Sequence, residues 1–348
     1  QGAGSVPMFA LPFRLCYNPC SPGKPLLSRN ALVAEGGGSA VARITVVGSL
    51  NMDLVVRTPR IPRPGETIIG SDFRTVPGGK GANQAVAAAK LGADVAMVGC
   101  VGQDDFGQAL LLNLVDLNID TEFVRRDPSA ATGIALITVE DSGQNNIVLA
   151  PGANMKLTAA DIERAEGRIA ESDIVLFQLE SPVAVVHAGL ELAKNRKVTT
   201  ILNPAPASPL NDDMLRCVDV LVPNESETSL LTGLPVESRD EVRVAARRLR
   251  AMGIGTVILT LGERGAFLSS AEEEQLVPAY QIEAVDTTAA GDAFVAGFAV
   301  ALAEGSSPPE AVRRGNAAGA LAAMRYGAQP SMPTRSEWEQ FYQREAAR

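Results

Sequence analysis

The chain has 348 residues, of which 46% are hydrophobic and 20% are charged, and its formal net charge is −9. This composition is typical of a soluble globular protein, and no apolar run approaches the roughly 20 residues that a membrane-spanning helix needs. The acidic balance argues against broad nucleic-acid binding, which requires a basic surface that displaces counterions from phosphates. We therefore expect neither a membrane nor a nucleic acid as a partner.

Residues 1–42, at the start of the chain, are rich in glycine, proline, serine and alanine and show no sustained periodicity. We expect them to form a disordered extension, followed by one folded domain at residues 43–340 and a C-terminal tail at 341–348. The extension contains three basic residues and no acid before Glu35. An organelle transit peptide is therefore conceivable, and a misassigned start is the alternative.

From Val41 onward, strand-like apolar runs alternate with helical periods. The first run, "VARITVVGSLNMDLVV", is broken by Gly48 and Ser49, which predicts a buried strand that leads into a loop. Further strand patterns are "DVAMVGCVG", "DIVLFQLES", "VTTILNPAP", "VDVLVPNESE" and "TVILTLGERG", and helical stretches such as "QAVAAAKLGA" and "RDEVRVAARRLRAMG" separate most of them. This alternation predicts an α/β fold with a doubly wound, mostly parallel sheet that is flanked by helices on both faces.

Two stretches depart from this alternation. "ETIIGSDFRTV" and "GIALITVEDSGQNNIVLAP" have the pattern of short strands, and the second contains a turn at "EDSGQNN". We therefore expect a small β-sheet lid built from segments at about 53–77 and 131–150. Ligands of open α/β sheets bind beyond the carboxyl ends of the strands, so polar loop residues should converge on one crevice. These residues are Asn51, Asp53, Glu180, Asn203, Asn224 and Gly262.

The glycine-rich stretch "VPGGKGANQAVAAAKLGA" does not match the common nucleotide-binding motifs. Gly81 follows Lys80, so the stretch is not a P-loop, and the first strand does not lead into the G-x-G-x-x-G of a dinucleotide-binding domain. Its glycines permit a ligand to lie on the backbone, but they equally fit a turn with a tightly packed helix. Lys80 and Asn83 favour polyol binding, because ammonium and amide groups donate hydrogen bonds to hydroxyls.

The histidine and cysteine counts limit the chemistry of a catalytic site. The single histidine, His187, lies in an amphipathic helical pattern that is typical of a surface or packing role, and a zinc site with several imidazoles is excluded. The four cysteines, Cys16, Cys20, Cys100 and Cys217, are too scattered for a disulfide framework, which indicates a reducing cytoplasm. We therefore expect a general base to be a carboxylate.

Asp292 in "VDTTAAGDAF" is the strongest candidate for that base. The motif predicts a helix start at which Gly291 frees consecutive N–H groups to bind an anionic oxygen. An acid in a first helical turn also stabilises the helix dipole by about 0.3–1 kcal/mol, which by itself accounts for Asp292. If the amides of residues 289–292 bind a phosphoryl group, Asp292 can instead accept the proton of an alcohol that attacks it in line.

Together these motifs resemble the PfkB-type sugar kinase family, whose fold is ribokinase-like. The likeness covers about residues 43–340 and rests on "GSLNMD", "PGETIIG", "GGKGANQAVAAAKLGA", "LFQLESP", "LNPAPA", "PNESE", "TLGERG", "VDTTAAGDAF" and "GAQPSMP" in this order. It implies a β lid that closes on the sugar and pairs with a second lid in a homodimer. The implied reaction is ATP-dependent phosphorylation of D-ribose at its 5-hydroxyl. The alternatives are a sugar or nucleoside kinase of this fold acting on deoxyribose or fructose, and a non-catalytic sugar-binding regulator.

The resemblance also assigns roles to individual residues. Asp292 is implied to be the catalytic base and a sugar ligand, beside Asn51, Asp53, Gly79, Lys80, Asn83 and Glu180. The implied ATP contacts are Asn224, Thr260, Leu261, Gly262, Glu263, Arg264, Gly265, Gly291 and Asn316. Glu227 is implied to hold Mg²⁺ through water. An activating K⁺ is implied at Asp286, Thr288, Ala322, Arg325, Gly327 and Ser331, mostly through backbone oxygens, and a turn held only by hydrogen bonds is the alternative there.

Overall fold

The structure is a computed structural model that describes residues 41–142 and 144–346. The expected N-terminal extension therefore lies, apart from residues 41 and 42, outside the described residues. The strands are β1 (Arg43–Val47), β2 (Asn51–Thr58), β3 (Ser71–Gly78), β4 (Asp94–Gly102), β5 (Val124–Asp127), β6 (Gly133–Glu140), β7 (Asn145–Ala150), β8 (Ile174–Phe177), β9 (Thr199–Leu202), β10 (Val220–Leu221), β11 (Thr256–Thr260), β12 (Ala266–Ser269) and β13 (Glu274–Val277).

Helices occupy most of the connections between these strands. They are α1 (Lys80–Lys90), α2 (Asp105–Asp116), α3 (Ala159–Arg164), α4 (Glu166–Glu171), α5 (Val183–Asn195), α6 (Asp212–Leu215), α7 (Glu225–Thr232), α8 (Arg239–Ala251), α9 (Ala290–Ala303), α10 (Pro308–Ala323) and α11 (Arg335–Ala346). Within residues 41–142 and 144–346, no helix is long and apolar enough to cross a membrane.

The larger sheet has nine strands in the order β13-β12-β11-β10-β9-β8-β1-β4-β5. Its pairs are parallel from β5 to β11, whereas β12 and β13 add an antiparallel edge. The chain leaves β1 on one side to form β4 and β5 and then continues on the other side from β8. The predicted doubly wound, mostly parallel sheet is confirmed, and its winding reverses between β1 and β8, where such folds bind ligands.

Helices cover both faces of this sheet and form two core layers. Ile44 and Val46 of β1 pack in the layer that contains α1, α9 and α10. Val47 and its neighbour Phe177 pack in the opposite layer, which contains α5 and α8. Successive side chains of a strand point to opposite faces, so a strand covered on both faces is buried at successive positions, as residues 44–47 of β1 are.

The second sheet has four strands in the order β3-β2-β6-β7. β6 and β7 form an antiparallel hairpin, while β2 pairs antiparallel with β3 and parallel with β6. The expected small β sheet is confirmed. The interpretation of Asn51 and Asp53 as loop residues is wrong, because both lie on β2, and only residues 48–50 separate this strand from β1.

The C-terminal boundary also differs from the sequence-based expectation. The helix α11 continues through residue 346, and both Trp338 and Phe341 are buried. The indole Nε1 of Trp338 donates a hydrogen bond to the carbonyl oxygen of Arg314 over 2.8 Å. Residues 341–346 are therefore part of the folded domain and not of a separate tail.

Candidate active site

The carboxylate of Glu180 joins three elements at the reversal point of the sheet. Glu180 follows β8, and its Oε2 accepts hydrogen bonds from Ser49 Oγ at 2.6 Å, from Asn51 Nδ2 at 3.2 Å and from the backbone N of Lys80 at 3.3 Å. The donors come from the end of β1, the start of β2 and the start of α1. Glu180 therefore holds the lid strand β2 and the glycine-rich motif at the mouth of one crevice.

The glycines of "PGGKG" allow these elements to pack in close contact. A Cβ on Gly78 would lie 2.3 Å from Asp53 Oδ2, and one on Gly81 would lie 2.6 Å from the backbone N of Ser49. Gly79 has a φ of 88°, and its Cβ would lie 2.7 Å from the backbone N of Asn51. Tight packing thus explains these glycines, and it brings Asn51 and Asp53 next to Lys80.

Asp292 lies in the first turn of α9 and is buried. Its Oδ2 accepts a hydrogen bond from Asn83 Nδ2, and its Oδ1 accepts one from Gln84 Nε2, each at 3.0 Å. The preceding Ala289 adopts a left-handed φ of 59°. A Cβ placed on Gly291 would meet no atom within 4 Å, so the space beside this helix start is open. The first N–H groups of a helix have no intrahelical partner and bind anions readily.

Four charged side chains influence one another in this crevice. Burial, and then the negative charges of Glu180 and Asp292, raise the pKa of Asp53 to about 7. The pKa of Lys80 is raised, chiefly by the charge of Asp292, although burial opposes this shift. The ammonium group of Lys80 balances part of the negative charge of Asp292 and Glu180.

The predicted nucleotide-binding residues lie at the ends of β10 and β11. Asn224 caps α7: its Oδ1 accepts from the backbone N of Glu227 at 2.9 Å, and the Glu227 carboxylate accepts from the backbone N of Asn224 at 2.8 Å. Asn224 also bridges to Thr260, the last residue of β11. Burial raises the pKa of Glu227.

The loop after β11 contains the other predicted nucleotide contacts. Gly262 has a φ of 56°, and the space where its Cβ would lie is open. Arg264 donates to the carbonyl oxygen of Glu237 over 2.6 Å and forms an ion pair with Glu225. This loop, which also contains Leu261, Glu263 and Gly265, is thereby tied to both ends of the segment that carries α7.

Asn316 lies on α10, and its side-chain nitrogen already has partners within the protein. Its Nδ2 donates to the carbonyl oxygens of Pro278 at 3.0 Å and Val277 at 3.4 Å. The amide therefore anchors the segment that follows β13. Its contact with a nucleotide stays a prediction.

The residues of the predicted cation site come from two chain segments that meet in the structure. Asp286 accepts hydrogen bonds from the backbone N of Thr288 and of Gly327, each at 2.9 Å. The carbonyl oxygen of Ala323, next to Ala322, accepts from the backbone N of residues 285 and 286. Ser331 is buried and donates to a neighbouring carbonyl oxygen. Arg325 binds Glu337 through its guanidinium, and because a guanidinium has no acceptor atom, only the backbone oxygen of Arg325 could be a cation ligand.

Three residues of the crevice were not singled out from the sequence. Gln84 binds Asp292, and Gln178 Nε2 donates to Gln84 Oε1 at 2.6 Å. Asn154 Nδ2 donates to Asn51 Oδ1 at 2.7 Å and so orients this amide. Their proximity in sequence to predicted site residues could have identified two of them, because Gln84 follows Asn83 and Gln178 lies two residues before Glu180.

The expected packing or surface role of His187 agrees with its position on α5, where Nε2 lies 3.6 Å from Glu191.

A small second sheet, a buried carboxylate and an open helix N-terminus lie at the reversal point of the doubly wound sheet, an arrangement suited to phosphoryl transfer to a small alcohol. A family model described as pfkB family carbohydrate kinase matches residues 41–335. The chain belongs to the PfkB family of carbohydrate kinases.

Relatives within this family are similar over nearly their whole length. A ribokinase from Haemophilus influenzae is 43% identical over 298 residues, which are 86% of this chain and 97% of the relative. A deoxyribokinase from Salmonella typhi is 37% identical over 299 residues, covering 86% and 98% of the two chains. The solved structure of Arabidopsis thaliana ribokinase complexed with ribose and ATP has a TM-score of 0.80 at 36% identity and covers 87% of this chain and 99% of that chain.

Proposed function

We propose that the protein transfers the terminal phosphoryl group of ATP to the 5-hydroxyl of D-ribose, giving D-ribose 5-phosphate and ADP. The similarity to ribokinases, including one solved with ribose and ATP, supports this substrate pair. The observation that carries the proposal is the position of Asp292, which is buried, is held by two amides, and lies beside Gly291 at the first turn of α9.

The crevice offers hydrogen-bonding groups suited to a sugar. Asn51, Asp53 and Glu180 lie at its lid side, and Lys80 and Asn83 lie at the start of α1. Asn83 Oδ1 is buried and has no hydrogen-bond partner in the described part of the chain. An unpaired buried acceptor is costly, so a ligand hydroxyl that donates to it would bind favourably.

Asp292 and the N-terminus of α9 have different roles in the proposed reaction. The carboxylate accepts the proton of the ribose hydroxyl as its oxygen attacks the phosphorus in line. Backbone N–H groups within residues 289–292 stabilise the charge that spreads over the transferring phosphoryl oxygens, although the N–H of Ala290 donates to the carbonyl oxygen of Thr287 at 3.2 Å. Because the transition state of phosphoryl transfer is loose, the proton leaves late, and a carboxylate is a sufficient base.

Mg²⁺ is the divalent cation that we propose to act with ATP, and Glu227 is the residue proposed to hold it through water. Both carboxylate oxygens of Glu227 already accept from Asn224, at 2.8 Å from the backbone N and 3.0 Å from Nδ2. A single, hydrogen-bonded carboxylate fits Mg²⁺, which keeps several waters and takes few protein ligands at sites where it binds phosphates. When bound, the ion neutralises charge on the transferring group.

K⁺ is the monovalent cation that we propose to bind beside the helix start. The proposed ligands are the Asp286 carboxylate, the Ser331 hydroxyl and backbone oxygens of Thr288, Ala322, Arg325 and Gly327. A set of oxygen ligands with one formal charge fits a monovalent cation. Dialysis of the enzyme against sodium or potassium salts tests this role, and equal turnover in the two salts would remove it.

We further propose that the protein is a cytoplasmic homodimer whose protomers pair through the lid. Leu136 on β6 and Val148 on β7 are register partners on one face of this sheet, and they are 47% and 59% exposed. Contiguous exposed apolar side chains usually mark an interface. Leu136→Asp should produce monomers in sedimentation, whereas a wild-type protein that is already monomeric would contradict the dimer. Recovery of the native protein in an organelle fraction would contradict the location.

Two measurements test the enzymatic proposal. A panel of ribose, deoxyribose, fructose and adenosine should show the highest kcat/KM with ribose, and a rate with ribose no greater than with the others would overturn the substrate assignment. Asp292→Asn should lower ribose-dependent ADP formation by at least about a hundredfold, the lower range for the loss of a general base. Equal rates for this variant and the wild type would refute the mechanism.

A further inference from the structure

Two buried glutamines connect to the catalytic carboxylate but have no role in the sugar or nucleotide sites described above. Gln84 lies on α1, directly after Asn83, and Gln178 follows the last residue of β8. Both side chains are 0% exposed. Fully buried polar side chains are uncommon and need partners, so the contacts of these two residues bear directly on their role.

The contacts of Gln84 determine how its amide is oriented. Its Nε2 lies 3.0 Å from Asp292 Oδ1 and 3.4 Å from Asn203 Oδ1, and its Oε1 accepts from Gln178 Nε2 at 2.6 Å. The orientation of Asn203 is also determined, because its Nδ2 donates to the carbonyl oxygen of Val222 at 2.9 Å. The Gln84 amide therefore donates two hydrogen bonds and accepts one, and a flip would break all three.

Gln178 lies in a space that exists only because residue 48 is glycine. A Cβ on Gly48 would lie 2.0 Å from Gln178 Oε1. This oxygen is buried and has no hydrogen-bond partner in the described ranges. The bond that this side chain does make is the one from Nε2 to Gln84. The Oε1 of Gln178 is thus left unpaired, while its Nε2 orients the Gln84 amide.

We propose that Gln84 is a positioning residue for Asp292 and that Gln178 maintains the orientation of the Gln84 amide. The inference rests on the proposed function, since it requires Asp292 to accept the hydroxyl proton. Asn83 donates to Oδ2 and Gln84 to Oδ1, so the carboxylate cannot rotate about its Cβ–Cγ bond without losing a hydrogen bond. Donors on both oxygens therefore fix the direction in which the carboxylate presents its remaining lone pairs.

Gln84→Met tests the role of the amide, because methionine is similar in length but cannot donate to Asp292. A misplaced catalytic group can cost about 10²-fold. We therefore expect kcat to fall about 10- to 100-fold, while the KM values for ribose and ATP change by less than about threefold.

A double-mutant cycle separates positioning from a general effect on packing. If Gln84 acts through Asp292, adding Gln84→Met to Asp292→Asn should cause no further loss of kcat. If Gln84→Met does not fold, Gln178→Met, alone and combined with Asp292→Asn, gives a second cycle. The loss of kcat in Gln178→Met alone should be smaller than that expected for Gln84→Met. The matched control is Thr45→Val, which removes a buried side-chain hydrogen bond of 2.7 Å to Ser172 and should leave kcat unchanged.

Two results would overturn the positioning role: independent, multiplicative losses in these cycles, or a wild-type kcat in Gln84→Met. Failure of the proposed function has a different signature. In that case the wild-type enzyme itself would form no ADP in response to ribose.

Discussion

Gly291→Ala should stabilise the protein and at the same time impair its use of ATP. Gly291 is the second residue of α9 and has helical geometry. A Cβ at this position meets no protein atom within 4 Å, so the folded chain can accept a methyl group without a clash. In the proposed mechanism, the same space is the approach to the N–H groups that bind the transferring phosphoryl group.

The two effects can be estimated separately. Alanine is favoured over glycine within a helix by about 0.5–1 kcal/mol, and the first turn should realise the lower part of this range. For a domain of this size, the gain corresponds to an increase in melting temperature of about 1–3 °C. Loss of one oxyanion-hole donor costs about 10²–10³ in kcat. A methyl group that keeps the anion away from this N–H should therefore lower kcat/KM for ATP by about 10²-fold.

The assay compares thermal unfolding with steady-state kinetics at saturating ribose. The control is Gly167→Ala in α4, because Gly167 also has open space at its Cβ. Gly167 lies next to Arg168, which binds Asp94 at the start of β4. Because the crevice lies beyond the carboxyl ends of the strands, Gly167 is at the opposite end of the sheet. The control should gain similar stability with unchanged kinetics. A stabilised Gly291→Ala with wild-type kcat/KM for ATP would refute the anion-binding role of this helix start.

Two further predictions concern the sugar side of the crevice. The pKa of Asp53, raised to about 7, means that the folded state binds a proton more tightly than the unfolded state, so the free energy of unfolding should fall as pH rises from about 4 to 7. The KM for ribose should increase as pH falls below about 7, because the Asp53 carboxylate that accepts hydrogen bonds from the sugar hydroxyls becomes protonated. Asp53→Asn should abolish the pH dependence of both the free energy of unfolding and the KM. A pH dependence that persists in this variant would contradict the assignment. Gly79→Ala should destabilise the protein by at least about 1–3 kcal/mol, because φ is 88° and the new Cβ would lie 2.7 Å from the backbone N of Asn51. Chemical denaturation measures this loss, and a wild-type unfolding midpoint would show that the close packing is not needed.

Sequence periodicity predicted a mostly parallel main sheet and six of its nine strands. After their exposed first residues, "RITVV" and "DVAMVGCVG" are buried at every position and almost wholly apolar, a pattern typical of strands buried on both faces. The antiparallel strands β12 and β13 and the short strand β5 were not predicted, since short strands at a sheet edge have a weak periodic signal. The small sheet was expected from hairpin patterns, but Asn51 and Asp53 of its strand β2 were assigned to a loop because Gly48 interrupts the run.

The sequence by itself determined the fold class, the family and the identity of the candidate base, because local periodicity and the order of short motifs are properties of the chain alone. Tertiary structure decided how that base is held. Gln84, Gln178 and Asn203 are far apart along the chain, and their side chains meet only where β8, β9 and α1 reach the same crevice. The raised pKa of Asp53 has the same origin, because burial and the charges of Glu180 and Asp292 arise from folding and cannot be deduced from neighbouring residues.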